Sequence, residues 1–176
     1  MYTLDNIRKY RETIGKKKII LDTNLLLLLL IGACDKNFLS QCACTNKYTN
    51  DDHNLLLKIF RFFETQIIIT PHIIAEFSNI SIRDIKEPKI HYYLKTVLDR
   101  LKNYKEEYIS LERLLGVKVE ILAKYGFSDL SIIEVAKKID AVILTDDMSL
   151  ALYADTCRIP SIKFGAVKAN HLLMPV

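Results

Sequence analysis

Apolar residues along this chain come in short, dense runs separated by polar turns, and the runs are of two kinds. Lys18 to Leu21, Gln66 to Thr70, Ala141 to Thr145 and Ser161 to Phe164 are brief, aliphatic and rich in β-branched residues, with Ile67-Ile68-Ile69 the purest of them. Runs this short without polar alternation predict strands buried on both faces. The second kind has helical length or spacing. Leu25 to Ile31 makes two apolar turns, and Leu55, Leu56, Ile59, Phe60 and Phe63 form a stripe behind the candidate caps Asp51 and Asp52. Thr70-Pro71 reads as an N-cap with proline at the first helical position, opening a helix from His72 to about Ile80. Apolar positions from Ile90 to Leu115 recur at three and four, which predicts one long helix over Lys89 to Leu115 or two broken near Ile109. Ser128 is the expected cap of a helix from Asp129 to Ile139, and Met148 to Asp155 is a further helix. Gly32 to Thr49 has no period and reads as a loop or irregular insertion.

Strands alternating with helices predict an α/β three-layer sandwich, a mostly parallel central sheet flanked by helices. The length, 176 residues, suits a single domain spanning 1–176. With 50% hydrophobic and 26% charged residues, collagen-like and disordered classes drop out. The longest apolar stretch, Ile19 to Ala33, is interrupted by Asp22-Thr23-Asn24, so no membrane span is expected. Residues 1–15 lack the hydrophobic centre of a secretory signal, and four cysteines do not make a disulfide framework; together these predict a cytoplasmic protein with free thiols. Cys34, Cys42, Cys44 and His53 lack the CxxC pairs of structural zinc sites. The net charge of +4 is too mild to prove a nucleic-acid partner, though Arg8, Lys9, Arg11, Lys16, Lys17 and Lys18 crowd the first eighteen positions.

In open parallel sheets, ligands bind outside the carboxyl ends of the strands. The residues at those ends are acidic here. Asp22 follows the first strand, Asp146 and Asp147 follow the third, and Glu76 lies within two turns of the second. Asp129 is aligned with Ile132, Ile133 and Ala136, the stripe that should face the sheet. Each acid alone has an ordinary explanation as a helix cap or dipole contact. Four on one sheet edge repel, by roughly 4 kcal/mol for a pair about 4 Å apart at an effective dielectric of about 20. A divalent cation relieves that repulsion, and an all-oxygen set without His or Cys suits Mg²⁺ or Mn²⁺ rather than zinc. The chemistry such a site points to is metal-dependent phosphodiester hydrolysis. Asn24 and Thr145 stand beside the acids as candidates to hydrogen-bond a carboxylate.

These residues carry a resemblance. Ile19-Ile20-Leu21-Asp22-Thr23-Asn24-Leu25-Leu26 resembles the opening motif of the PIN-domain nuclease family, and Ile69-Thr70-Pro71-His72-Ile73-Ile74-Ala75-Glu76-Phe77 its second acidic motif. Gly126-Phe127-Ser128-Asp129-Leu130-Ser131-Ile132 is similar to the third, and Ile143-Leu144-Thr145-Asp146-Asp147-Met148-Ser149-Leu150 to the fourth, in the family's order over about residues 17 to 165. The resemblance implies a PIN-like fold with insertions at about 32–50 and 82–116, and a Mg²⁺- or Mn²⁺-dependent endoribonuclease, as in the toxins of toxin–antitoxin pairs. It implies RNA as the substrate, and it allows an antitoxin protein and a second copy of the chain as partners. Asp22, Glu76, Asp129 and Asp147 are then the catalytic, metal-binding set. The family's last acid commonly sits two residues after the threonine, which selects Asp147 and keeps Asp146 in reserve; a further acid often found two positions later is Ser149 here.

Two other readings stand beside this one. A phosphatase of the haloacid-dehalogenase type also places acids after these strands, but its Asp-x-Asp nucleophile motif would need an acid where Asn24 stands, and it gives Glu76 and Asp129 no role. A catalytically inactive PIN-like module that binds RNA or protein gains nothing from clustered repulsion. For RNA backbone contact the nearest cations in sequence are Lys16, Lys17 and Lys18, at the opposite end of the strand that leads to Asp22. Arg83, Lys86, Lys89 and Lys95 are the alternative.

Overall fold

A computed structural model describes residues 18–63, 67–86 and 88–172 of the chain. In chain order the elements are β1 (Ile19–Leu21), α1 (Thr23–Cys34), α2 (Phe38–Gln41), α3 (Asn50–Phe63), β2 (Ile67–Ile69), α4 (Pro71–Asp84), α5 (Lys89–Leu101), β3 (Lys105–Glu106), α6 (Leu111–Leu115), α7 (Val119–Ile139), β4 (Val142–Thr145), α8 (Met148–Thr156), β5 (Ser161–Lys163) and α9 (Phe164–Leu172). The strands form one sheet in the order β3-β2-β1-β4-β5, and every pairing is parallel. Ile19 aligns with Ile67 on one side and with Val142 on the other. Helices flank this sheet to make three layers; parallel crossovers are almost always right-handed, which for this strand order places the helices between β1, β2 and β3 on the face opposite those leading to β4 and β5. Every residue of β1 and β4 is buried, as a strand covered on both faces requires.

The run that leaves β1 becomes α1, with Leu25 to Gly32 all buried. A helix apolar all round must be enclosed, and α1 packs against α2, α3, α4 and α5. At Gly32 it comes close to α3. A Cβ on Gly32 would lie 2.5 Å from the His53 ring, whose Nε2–H donates to the Leu29 carbonyl at 3.3 Å and is thereby pinned. Gly32→Ala should therefore lower stability by roughly 1–2 kcal/mol, overpacking outweighing the helix propensity gained. Urea unfolding measures it; an alanine variant as stable as wild type would mean the ring can turn aside.

Several elements differ from the sequence reading. The cap of α3 is Thr49, whose hydroxyl accepts the Asp52 N–H at 3.2 Å while the Asp52 carboxylate accepts the Thr49 N–H at 2.8 Å, so Asp52 is the reciprocal partner within a capping box. The stretch expected as a long helix over 89–115 is α5, then β3, then α6. β3 is a two-residue, exposed edge strand beside β2, with no apolar signal to announce it. Residues 32–49 are partly helical, in the end of α1 and in α2. Within α7, Gly126 has φ 69° and ψ 179°, so two helices meet there. Asp129 falls in the first turn after that break, and the Ser128 carbonyl accepts the Ser131 hydroxyl at 2.7 Å. No helix among the described residues is long and apolar enough to cross a membrane.

Candidate active site

The sheet order sends the chain outward from β1 through β2 to β3 and then back to the far side of β1 as β4 and β5. Between β1 and β4 the direction of winding reverses, and the crevice outside their carboxyl ends is where such sheets take ligands. Asp22 and Asp146-Asp147 leave the two strands at that point.

Asp22 is 3% exposed. Its N–H continues the β1–β4 ladder to the Leu144 carbonyl at 3.2 Å. One carboxylate oxygen accepts the Leu25 N–H at 2.7 Å, capping α1. The other accepts the Thr145 hydroxyl and the Asp146 N–H, the latter at 2.9 Å. Burial pushes this carboxyl above its ordinary range, while these donors favour the charged form and oppose the rise. The Thr145 oxygen in turn accepts the Asp147 N–H at 2.9 Å, so one hydroxyl fixes both strand-end acids. Asn24 sits half-buried in the first turn of α1, its side chain hydrogen-bonded to no described residue.

Asp147 caps α8, its Oδ1 accepting from Ser149 at 2.6 Å and from Leu150 at 3.2 Å. Asp146 is engaged differently. Its Oδ2 accepts the Tyr48 hydroxyl at 2.8 Å and pairs with Lys47 at 3.3 Å. Glu76, half-buried on α4, accepts the Thr23 hydroxyl at 2.6 Å. α7 is tied to the start of α4 by buried hydroxyls: the Ile73 N–H donates to Thr70, Thr70 donates to Ser131 at 2.8 Å, and Ser131 donates to Ser128.

That tie presents Asp129 to the same edge. Among the described residues none hydrogen-bonds or ion-pairs with its carboxylate. The carboxyl is pushed up to about 7, first by burial and then by the negative charges of Asp147, Asp22 and Glu76. Asp129 thus lies in the field of the other three acids. As placed, no three His, Cys, Asp or Glu side chains among the described residues are close enough to share one ion. Both oxygens of Asp129, Oδ2 of Asp147 and Oε1 of Glu76 accept no hydrogen bond from a described residue; they are hard oxygen donors of the type Mg²⁺ and Mn²⁺ take, but as placed they do not form a three-ligand set.

The other candidates lie apart from this chemistry. Cys34, Cys42, Cys44 and Cys157 are unpaired thiols. Burial pushes the Cys34 thiol up to about 11 and the Cys44 thiol to about 12, which keeps both protonated and poor metal ligands. His72 is half-buried in the first turn of α4. Lys16 and Lys17 lie outside the described residues. Lys18 is half-buried at the start of β1, its carbonyl accepting the Val142 N–H at 2.9 Å, at the opposite strand end from Asp22. Arg83 pairs with Asp84, and Lys89 covers the Phe38 ring.

Sequence reasoning missed Thr23, Lys47 and Tyr48. Thr23 could have been suspected, as a hydroxyl next to a strand-end acid. Lys47 and Tyr48 belong to a segment without periodicity and reach Asp146 across about a hundred positions, so no local pattern marks them. No protein-family model matches this chain, and no curated protein sequence matches it.

Proposed function

We propose that this chain is a Mg²⁺- or Mn²⁺-dependent endoribonuclease of the PIN-domain type, hydrolysing RNA phosphodiester bonds at the β1–β4 crevice. The observation that carries the reading is Asp129, a partly buried carboxylate with no described partner, set in the field of three other acids. The inactive-module reading accounts for Asp22 and Asp147 as helix caps but gives Asp129 no reason to be there. Asp129, Asp147 and Glu76 each keep a carboxylate oxygen that no described residue occupies, though as placed no three of them reach one ion, and Asp22 is fixed by Thr145 and the Asp146 N–H. When bound, the ion would lower the pKa of a water and stabilise the leaving oxygen of an in-line displacement. The chain's own residues do the positioning. Thr145 holds Asp22 and the Asp147 backbone, Thr23 holds Glu76, and the Thr70–Ser131 tie holds the helix of Asp129. The unpaired thiols support a place in the reducing cytoplasm.

Between the adjacent acids, Asp147 is the better ligand, since its charge acts on Asp129 while Asp146 is taken up by Tyr48 and Lys47. The test is cleavage of a labelled single-stranded RNA in Mn²⁺ and in EDTA. Cleavage should need the ion, and Asp147→Asn should lose roughly tenfold more activity than Asp146→Asn. Full activity in EDTA would move the assignment to another mechanism.

A further inference from the structure

A carboxylate edge repels a polyanion, so RNA cleavage there needs a cation close to the acids. Among the described residues no Lys, Arg or His forms an ion pair with Asp22, Glu76, Asp129 or Asp147. Lys47 pairs with Asp146, whose own N–H donates to Asp22.

The lysine is delivered by a built segment. Residues 42–48 turn between α2 and α3 on two backbone bonds, Thr45 N–H to the Cys42 carbonyl at 3.0 Å and Tyr48 N–H to the Thr45 carbonyl at 2.9 Å. Fully buried Thr45 donates to the Leu39 carbonyl at 3.0 Å, and the Cys44 N–H donates to Asp84 on α4 at 2.8 Å. Tyr48 is buried edge-on against Phe164 with its hydroxyl on Asp146. Lys47 precedes it, its ammonium 4.8 Å from the Tyr48 ring centroid and 3.3 Å from Asp146, with the side chain 52% exposed. The backbone at this lysine is fixed, and its half-exposed ammonium is open to solvent beside its pairing to Asp146. An exposed pair of this kind contributes little to stability, so anchoring on this scale exceeds what a surface ion pair asks for.

We propose that Lys47 grips a phosphate of single-stranded RNA beside the carboxylates, exchanging Asp146 for a phosphate oxygen when substrate arrives. The inference rests on the nuclease reading and names the residue that holds its substrate. It assigns to the 32–50 segment the backbone contact that sequence placed on Lys16, Lys17 and Lys18.

The test measures binding of a short labelled oligouridylate at several salt concentrations in EDTA, in an Asp129→Asn background that further slows cleavage. Adding Lys47→Gln should weaken binding roughly fivefold at about 0.1 M salt and flatten the salt slope by about 0.7, one phosphate contact. Lys47→Arg should restore both, and neither variant should shift the melting temperature, which separates grip from fold. An unchanged slope and affinity would overturn the proposal. Wild-type cleavage of the same RNA in Mn²⁺ is scored in parallel. Cleavage with an unchanged Lys47→Gln slope sinks the grip and leaves the nuclease; a flattened slope without any wild-type cleavage keeps the contact and sinks the nuclease.

Discussion

Asp129→Asn should raise the stability of the metal-free protein at pH 8 and, in the same molecule, slow RNA cleavage in Mn²⁺ by on the order of a hundredfold or more. The two effects have one cause. At pH 8 the wild-type carboxylate is charged, partly buried and opposed by Asp147, Asp22 and Glu76. Asparagine keeps the shape and removes the charge, relieving a repulsion worth a few kcal/mol, and ~2–4 °C of melting temperature follows per kcal/mol in a chain of this size. On the proposed function the same change removes a carboxylate that would bind the ion, and charge stabilisation by a bound metal is worth several kcal/mol in the transition state, each 1.4 kcal/mol or so being tenfold. A residue kept for structure would lose stability on substitution; a residue kept for chemistry gains it. Thermal melts in EDTA and cleavage rates in Mn²⁺ check both halves. A destabilised variant, or one that still cleaves RNA at the wild-type rate, would remove Asp129 from the site.

The second large effect is on pH. Without divalent ions, stability should fall as pH rises from about 4 to about 7 and then level off. Below 3.8, the ordinary value, Asp129 is protonated in both folded and unfolded chains and contributes nothing to the slope. Between 3.8 and about 7 the unfolded chain has lost the proton and the folded one keeps it, so the folded state binds more protons and stability declines with pH. The total is roughly 4 kcal/mol at most. Asp22 is raised as well and acts in the same direction. His53 acts oppositely below 6.5, because burial holds its ring below that ordinary value and the unfolded chain takes up the proton first. Asp84, Asp99, Glu107 and Glu134, held below their ordinary values by hydrogen bonds from lysine and arginine partners, also act oppositely at the acid end, and the difference between wild type and Asp129→Asn removes these background contributions. Urea unfolding at pH 4.5 and pH 8 in EDTA should give the wild type the steeper loss. Mn²⁺ at about a hundred times its Kd should restore about 2.7 kcal/mol at pH 8. Equal pH slopes in the two proteins would mean that Asp129 is not held among the other acids.

Sequence by itself determined the α/β class and the strands that matter to the site. β1, β2, β4 and β5 were legible because a strand covered on both faces has no polar side to show, and the caps Thr70 and Asp22 were legible because capping acts over three residues. It also placed an acid after β1 and two after β4. What it left open is whatever depends on partners distant in the chain. β3 exists because Lys105 and Glu106 find the edge of β2, and their own residue types argue for nothing. The periodicity of Ile90 to Leu101 runs on through Tyr104, Tyr108 and Leu111, although the helix ends at Leu101 and the chain then pairs with the edge of β2. Strand order is likewise a property of packing: Asp22 and Asp147 face Asp129 because β4 returns to the far side of β1. Thr23 holds Glu76 across 53 positions and Tyr48 reaches Asp146 across 98, distances over which no rule of helix or strand spacing operates. Local physics fixed the kinds of element and the acids at their ends; burial and topology decided which of those acids meet and which cation stands beside them.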